Sequence, residues 1–186
     1  ATPDLRFEYD EALERGLVAP ETLDAWIELY SEHIGPKRGA QVIARAWVDP
    51  DFHARLMDNA TDAITEFGFE GNATAHLKAV ENTDSVHNLV VCTLCSCYPR
   101  SILGQPPSWY ISKAYRARSV REPRRVLMEF GLNLPMEVQL DVHDSNADMR
   151  YLVLPEPPAD LDRFNLSDLE ALISRDHLIG VAREVG

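Results

Sequence analysis

The chain has 186 residues, with 18 basic and 30 acidic side chains and a formal net charge of −12. That length suits one domain with an appendage, and the charge excludes a general nucleic-acid binder, which needs an excess of Lys and Arg against phosphate. Apolar residues make up 45% of the chain, which excludes whole-chain disorder, and no apolar run approaches the roughly 20 residues of a membrane span.

Ala1 to Asp10 is charged and does not read as a secretory leader, so the expected location is the cytoplasm. The first third reads as helices. Pro20 suits the first turn of one, with Leu23, Trp26, Ile27 and Tyr30 at helical spacing and Gly35 as its cap. A second helix carries Val42, Ile43, Ala46 and Trp47. Asp49-Pro50 is an N-cap and N1 pair, and Phe52, Leu56, Ala60, Ala63, Ile64 and Phe67 form the next stripe, ended by Gly68. These helices are acidic outside, which fits either a solvated layer over the core or an arm around a partner subunit.

The middle changes character. His87–Leu94 is a β-type apolar run, followed by a Pro-rich loop from Pro99 to Pro107 and a basic stretch from Trp109 to Arg125. Glu122-Pro123 begins a helix through Val126, Leu127 and Phe130 to a cap at Gly131. Glu137–Asp144 alternates as a strand, Asp144–Asp148 is turn chemistry, and Tyr151–Leu154 is a second strand, which together predict a hairpin. Ser167 with Glu170 fits a capping box before a short final helix with Leu169, Leu172 and Ile173. There is no internal repeat and no convincing linker. The expected organisation is one domain over residues 1–186, with a helical layer over 1–68 and an α+β core over 69–186.

All three cysteines lie in Val91-Cys92-Thr93-Leu94-Cys95-Ser96-Cys97. An odd number packed so tightly is not a disulfide framework and points to metal or redox chemistry in a reducing compartment. Structural zinc wants four ligands, and none of the six histidines has a ligand-like spacing to another. A four-cysteine iron–sulfur cluster lacks its fourth thiolate, and a CxxC redox pair lacks its βαβ context. Backbone donors offer another route, because the short Cys95-Ser96-Cys97 spacing brings the Ser96 and Cys97 amides near a metal held by the sulfurs. Three sulfurs and two nitrogens fill five positions of an octahedron. The sixth stays open for water or substrate, as Lewis-acid catalysis requires.

The segment VCTLCSC resembles the metal-binding motif of the nitrile hydratase α-subunit family and the equivalent subunit of thiocyanate hydrolase. The resemblance continues through Glu81-Asn82-Thr83, Val86-His87-Asn88, Ile102-Leu103-Gly104, Trp109-Tyr110, Tyr115-Arg116-Ala117-Arg118, Arg121-Glu122-Pro123-Arg124 and Leu178-Ile179-Gly180-Val181. It implies an α+β fold with α-β-β-α layers and a helical N-terminal arm. It implies low-spin Co(III), with Fe(III) as the alternative, held by the Cys92, Cys95 and Cys97 sulfurs and the Ser96 and Cys97 amides. Thr93 is the residue typical of the cobalt members. Cys95 becomes a sulfinate and Cys97 a sulfenate, both steps on the ordinary oxidation ladder. Such a site carries about −2 by simple charge counting and needs cationic neighbours. In the family these are arginines of a β-type subunit, supplied in some members by separate β and γ chains, and metal loading can involve an accessory protein. Within this chain the basic stretch, with Arg100, Arg116 and Arg118, reads either as support for the site or as surface charge paired with acids. His87 reads as a satisfied core or interface histidine.

One departure bears on substrate. Arg100-Ser101 stands where many nitrile hydratases have Trp-Pro, which resembles thiocyanate hydrolase and the three-subunit nitrile hydratases that act on polar, bulky nitriles; Gln105 resembles the latter. Arg100 therefore either contacts substrate or pairs with an acid of a partner. The expected reaction is hydration of a nitrile to the amide, with Cys97, Cys95, Ser96 and Arg100 as the candidate catalytic residues. The attacking oxygen stays open between an activated water and the Cys97 sulfenate. Thiocyanate hydrolysis to carbonyl sulfide and ammonia is the runner-up, and a noncatalytic zinc-binding module is the rival from another class.

Overall fold

The computed structural model describes residues 36–69 and 75–185. The helix expected between Pro20 and Gly35 lies outside them. Helix α1, Pro36–Val48, places Val42, Ile43 and Ala46 in the core. Helix α2, Pro50–Asp58, begins as the sequence predicts. The Asp49 side chain accepts the Phe52 N–H at 2.9 Å, and Pro50 occupies a first-turn position where a missing N–H costs nothing.

The stripe from Phe52 to Phe67 is not one helix. Asn59 is extended and its side chain accepts the Asp62 N–H, starting a separate short helix α3, Ala60–Ala63. A 3-10 turn, Ile64–Phe67, follows and closes at Gly68 in the left-handed region. Phe52, Leu56, Ala60, Ala63 and Ile64 nevertheless share one buried face, so the break leaves the apolar pattern intact.

Strands β1, His76–Glu81, and β2, Val86–Val91, come next. Four helices follow: α4, Arg100–Leu103; α5, Ser108–Ile111; α6, Lys113–Arg121; and α7, Pro123–Glu129, which starts at the Glu122-Pro123 pair as expected. Strands β3, Gln139–Asp144, and β4, Met149–Leu154, lead through a 3-10 turn to α8, Leu166–Leu172, and α9, Arg175–Ile179. The capping box of α8 is Asn165 with Asp168, not Ser167 with Glu170. Both pairs have suitable chemistry, but Ser167 and Glu170 fall inside the helix.

The hairpin expected across Asp144–Asp148 does not form. β3 pairs parallel with β2, and β4 pairs parallel with β1. The turn itself exists, with the Asn146 carboxamide oxygen accepting the Asp148 and Met149 N–H groups. Its two arms diverge: the Ser145 N–H bonds Val91 O at 2.7 Å, prolonging the β2–β3 ladder, while His76 N–H bonds Asp148 O at 2.7 Å, opening the β1–β4 ladder. Turn chemistry fixes the reversal of the chain but not the partner of each strand.

The two small sheets pack on each other, with α2 and α3 against β1 on one side and α6 and α7 against β2 and β3 on the other. This is the α+β architecture with α-β-β-α layers. β2 is apolar along most of its length because neither face meets water. Helix α9 packs on β2 and β4, and its terminal Gly180, at φ 85, lies directly against the β2 backbone at Asn88.

Candidate metal centre

β2 delivers the cysteines. Its last residue, Val91, pairs with Asp144 at the end of β3, and the chain then curls so that the three sulfurs converge within 4.8 Å of one another. Cys92 and Cys95 sulfurs are 3.5 Å apart, and those of Cys95 and Cys97 are 3.0 Å apart. All three cysteines are free; Cys92 and Cys97 are buried and Cys95 is exposed. The cluster therefore opens to the outside at Cys95.

Within the curl the Cys95 N–H reaches the Cys92 sulfur at 3.3 Å. Three carbonyls of the curl are held by side chains of α5 and α6. The Arg116 guanidinium donates to the Cys92 carbonyl at 3.1 Å and the Thr93 carbonyl at 2.9 Å. The buried Tyr110 hydroxyl donates to the Cys97 carbonyl at 2.8 Å. One residue before the strand ends, the Tyr115 hydroxyl holds Val90 O at 2.7 Å. The Asp144 carboxylate accepts both the Thr93 N–H at 2.8 Å and the Thr93 hydroxyl at 2.6 Å.

Hydrogen bonds from Cys97 and Cys92, and then from the Ser96 and Cys97 amides, hold the Cys95 thiol below its ordinary pKa. Burial pushes the Cys97 thiol up to about 12, its neighbours Cys95 and Cys92 add to this, and the Arg150 charge opposes it. Three thiolates at this spacing repel one another and ionise together only around a cation. The donor set of three converging sulfurs fits a thiophilic metal ion. Among the described residues no histidine or carboxylate joins the sulfurs as a fourth side-chain ligand.

The sequence-predicted cations separate. Arg118 pairs with Glu122 and Glu129, Arg125 pairs with Glu122, and Arg124 donates to the carbonyls of Leu134, Pro135 and Val138. Arg100, exposed at the start of α4, lines a small cleft with Thr61, Tyr98, Ser101 and Arg150. His87 is fully buried and bonds Gly180 O at 2.8 Å, the satisfied core role expected of it. Sequence reasoning missed Asp144, Tyr110 and Arg150. Asp144 was visible only as the end of a strand and the start of a turn, Tyr110 only as part of the Trp109-Tyr110 pair in the family resemblance, and nothing local marks Arg150.

A family model described as nitrile hydratase, alpha chain, matches residues 9–182. The chain belongs to the nitrile hydratase α-chain family. It is 47% identical over 170 residues to the low-molecular weight cobalt-containing nitrile hydratase subunit alpha of Rhodococcus rhodochrous, covering 91% of this chain and 82% of that one. It is 41% identical to the thiocyanate hydrolase subunit gamma of Thiobacillus thioparus, covering 92% and 74%. Among solved structures, an iron-type nitrile hydratase of Comamonas testosteroni Ni1 superposes with a TM-score of 0.84 at 38% identity, over 98% of this chain and 92% of that chain. A recombinant thiocyanate hydrolase with partially modified cobalt centres superposes with a TM-score of 0.78, also at 38% identity, over 100% and 93%. Family membership thus holds across cobalt and iron relatives and across two named activities.

Proposed function

We propose that this chain is the metal-binding catalytic subunit of a nitrile hydratase, adding water across a C≡N bond to give the amide. The observation that carries the reading is the convergence of three sulfurs on one centre, with the Cys95 N–H turned toward it. The Cys92, Cys95 and Cys97 sulfurs and the Ser96 and Cys97 amides hold cobalt(III), with iron(III) as the alternative. When bound, the ion supplies Lewis acidity. The chain supplies the rest. Arg116, Tyr110 and Asp144 fix the curl; burial of Cys92 and Cys97 excludes water from the inner side; exposure of Cys95 leaves the outer side open to substrate. Cys95 is carried as a sulfinate and Cys97 as a sulfenate, and Ser96 presents its hydroxyl at the rim. The subunit works in a hetero-oligomer in the cytoplasm. Partner chains of the β type contribute arginines to the sulfur oxygens, and an accessory protein assists loading.

A second reading, thiocyanate hydrolysis, is favoured by one observation: Arg100 and Arg150 line the same cleft, and neither has an ion-pair partner among the described residues. Two unneutralised guanidinium groups suit an anionic substrate more than a neutral nitrile.

The deciding experiment is mass spectrometry of the chain co-purified with its partner subunits, reading metal and added oxygens on the Cys92–Cys97 segment, followed by turnover of neutral nitriles and thiocyanate. Cobalt or iron with three added oxygens and nitrile turnover is the expected result. Replacing any one of Cys92, Cys95 or Cys97 with Ser is expected to abolish it. Tetrahedral zinc on fully reduced cysteines, retained in the complex, would refute the reading.

A further inference from the structure

The cations around the sulfur site differ in what they spend their donors on. Arg118 and Arg125 face carboxylates on their own helical surface. Arg116 is half-buried, and its partners are two consecutive backbone carbonyls of the curl, Cys92 O and Thr93 O. Among the described residues no carboxylate lies within ion-pair distance of it.

We propose that Arg116 is a positioning residue for the reaction at the sulfur site, setting the rotation of the Cys92–Thr93 and Thr93–Leu94 peptides and so the place of the Cys92 sulfur relative to those of Cys95 and Cys97. The proposal rests on the reading of the three cysteines as a metal centre.

The geometry is over-determined at one peptide. A peptide unit is planar, so its orientation is fixed once both ends are held. The Cys92–Thr93 unit is held at its oxygen by Arg116 Nε at 3.1 Å and at its nitrogen by Asp144 Oδ1 at 2.8 Å. The next unit is held at its oxygen by Arg116 Nη2 at 2.9 Å. A guanidinium presents its N–H groups in a rigid fork, so engaging Nε and Nη2 together sets the separation and tilt of the two carbonyls. A lysine supplies the charge but no fork.

The fork is itself anchored. The Ser112 hydroxyl caps α6 by accepting the Tyr115 N–H at 3.1 Å. Tyr115, the neighbour of Arg116, is buried, and its hydroxyl reaches Val90 O on β2 at 2.7 Å. Strand, curl and helix α6 therefore form one unit, joined on both sides of Cys92. A cation at this place also lies beside a site that is anionic when loaded, and adds to its support without occupying the open side.

The test uses the assembled complex with wild-type, Arg116→Met and Arg116→Lys chains. Cobalt per complex, the cobalt–sulfur charge-transfer absorption per bound cobalt, and kcat and KM per bound cobalt are measured together. Arg116→Met is expected to shift the absorption band and to lower kcat per bound cobalt by about 10–100-fold, the usual range for a lost outer-shell partner. KM is expected to stay within about twofold, since no substrate contact is removed. Arg116→Lys is expected to recover cobalt content without recovering the band or kcat. If both variants keep the wild-type band and kcat per bound cobalt, however little complex is recovered, Arg116 serves folding alone and the proposal is overturned. If Arg116→Met yields no complex, Arg116→Lys decides by the same per-cobalt measures. A wild-type complex that takes up no cobalt or iron strikes down the metal-centre reading and this proposal with it, whereas a loaded, active wild type with unaffected variants strikes down only the role of Arg116.

Discussion

Removing one oxygen from Tyr110 tests how the buried end of the cysteine curl is held. In Tyr110→Phe the ring stays, with its edge-to-face contacts to Tyr98 and Trp109 at centroid distances of 5.0 and 6.1 Å. What disappears is the 2.8 Å hydrogen bond to the Cys97 carbonyl, made in a fully buried setting. An unmade partner in such a place costs about 1–3 kcal/mol, and the relaxed backbone recovers part of it, so about 1–2 kcal/mol is expected. For a chain of this size that corresponds to a fall in Tm of roughly 2–8 °C. Tyr115→Phe is the matched control. It also loses one buried hydroxyl bond, of 2.7 Å, but to Val90 inside β2 rather than to a curl residue. The two variants should lose similar stability in thermal melts of the assembled complex, while Tyr110→Phe, whose lost bond is to a cysteine of the curl itself, loses more metal on dialysis against a chelator than Tyr115→Phe, whose bond reaches the curl only through Arg116. Equal metal loss in both would show that Tyr110 acts through overall stability, and an unchanged Tm in Tyr110→Phe would show that the bond contributes nothing.

Three further expectations follow from the same structure. His87 is buried and its pKa is lowered, chiefly by burial and against the bond to Gly180 O; a histidine depressed in the folded state stabilises fully above its unfolded value of about 6.5 and loses that contribution as pH falls through the folded value. Urea midpoints should therefore drop between pH 7 and 5, and drop less in His87→Gln; equal slopes would refute this. Gly180→Ala should destabilise by about 3 kcal/mol or more, because φ is +85 and a Cβ would sit 1.9 Å from Asn88 O; a folded variant with wild-type Tm would refute it. Arg100→Trp should lower thiocyanate turnover more than nitrile turnover, and the reverse order in a substrate panel would remove Arg100 from substrate recognition.

The cysteine curl was legible because sulfur chemistry at that spacing has few uses, and the caps at Asp49, Glu122-Pro123 and Gly68 were legible because each depends on neighbours within a few residues. What failed was of two kinds. The Asn59 break and the Asn165 cap turned on which of several suitable polar residues the backbone used, and composition ranks these poorly. The hairpin failed for a different reason: the turn at Asp144–Asp148 is local, but β3 and β4 choose partners some fifty or more residues away by burial. The outer support was hidden for the same reason. Thr93 meets Asp144 across 51 positions and Arg116 across 23, and no periodicity connects them. Strand β1 was not foreseen, since His76–Glu81 mixes charged and apolar residues without a strong run.

The distance from Thr93 to Asp144 also sets a timetable. A ribosome adding about 5–20 residues per second makes the three cysteines several seconds before Asp144. During that interval Tyr110 and then Arg116 arrive, each on the carbonyl side, while strand β2 still waits for β3 to close its edge. The supports of the curl are thus complete only once the chain has reached Asp144.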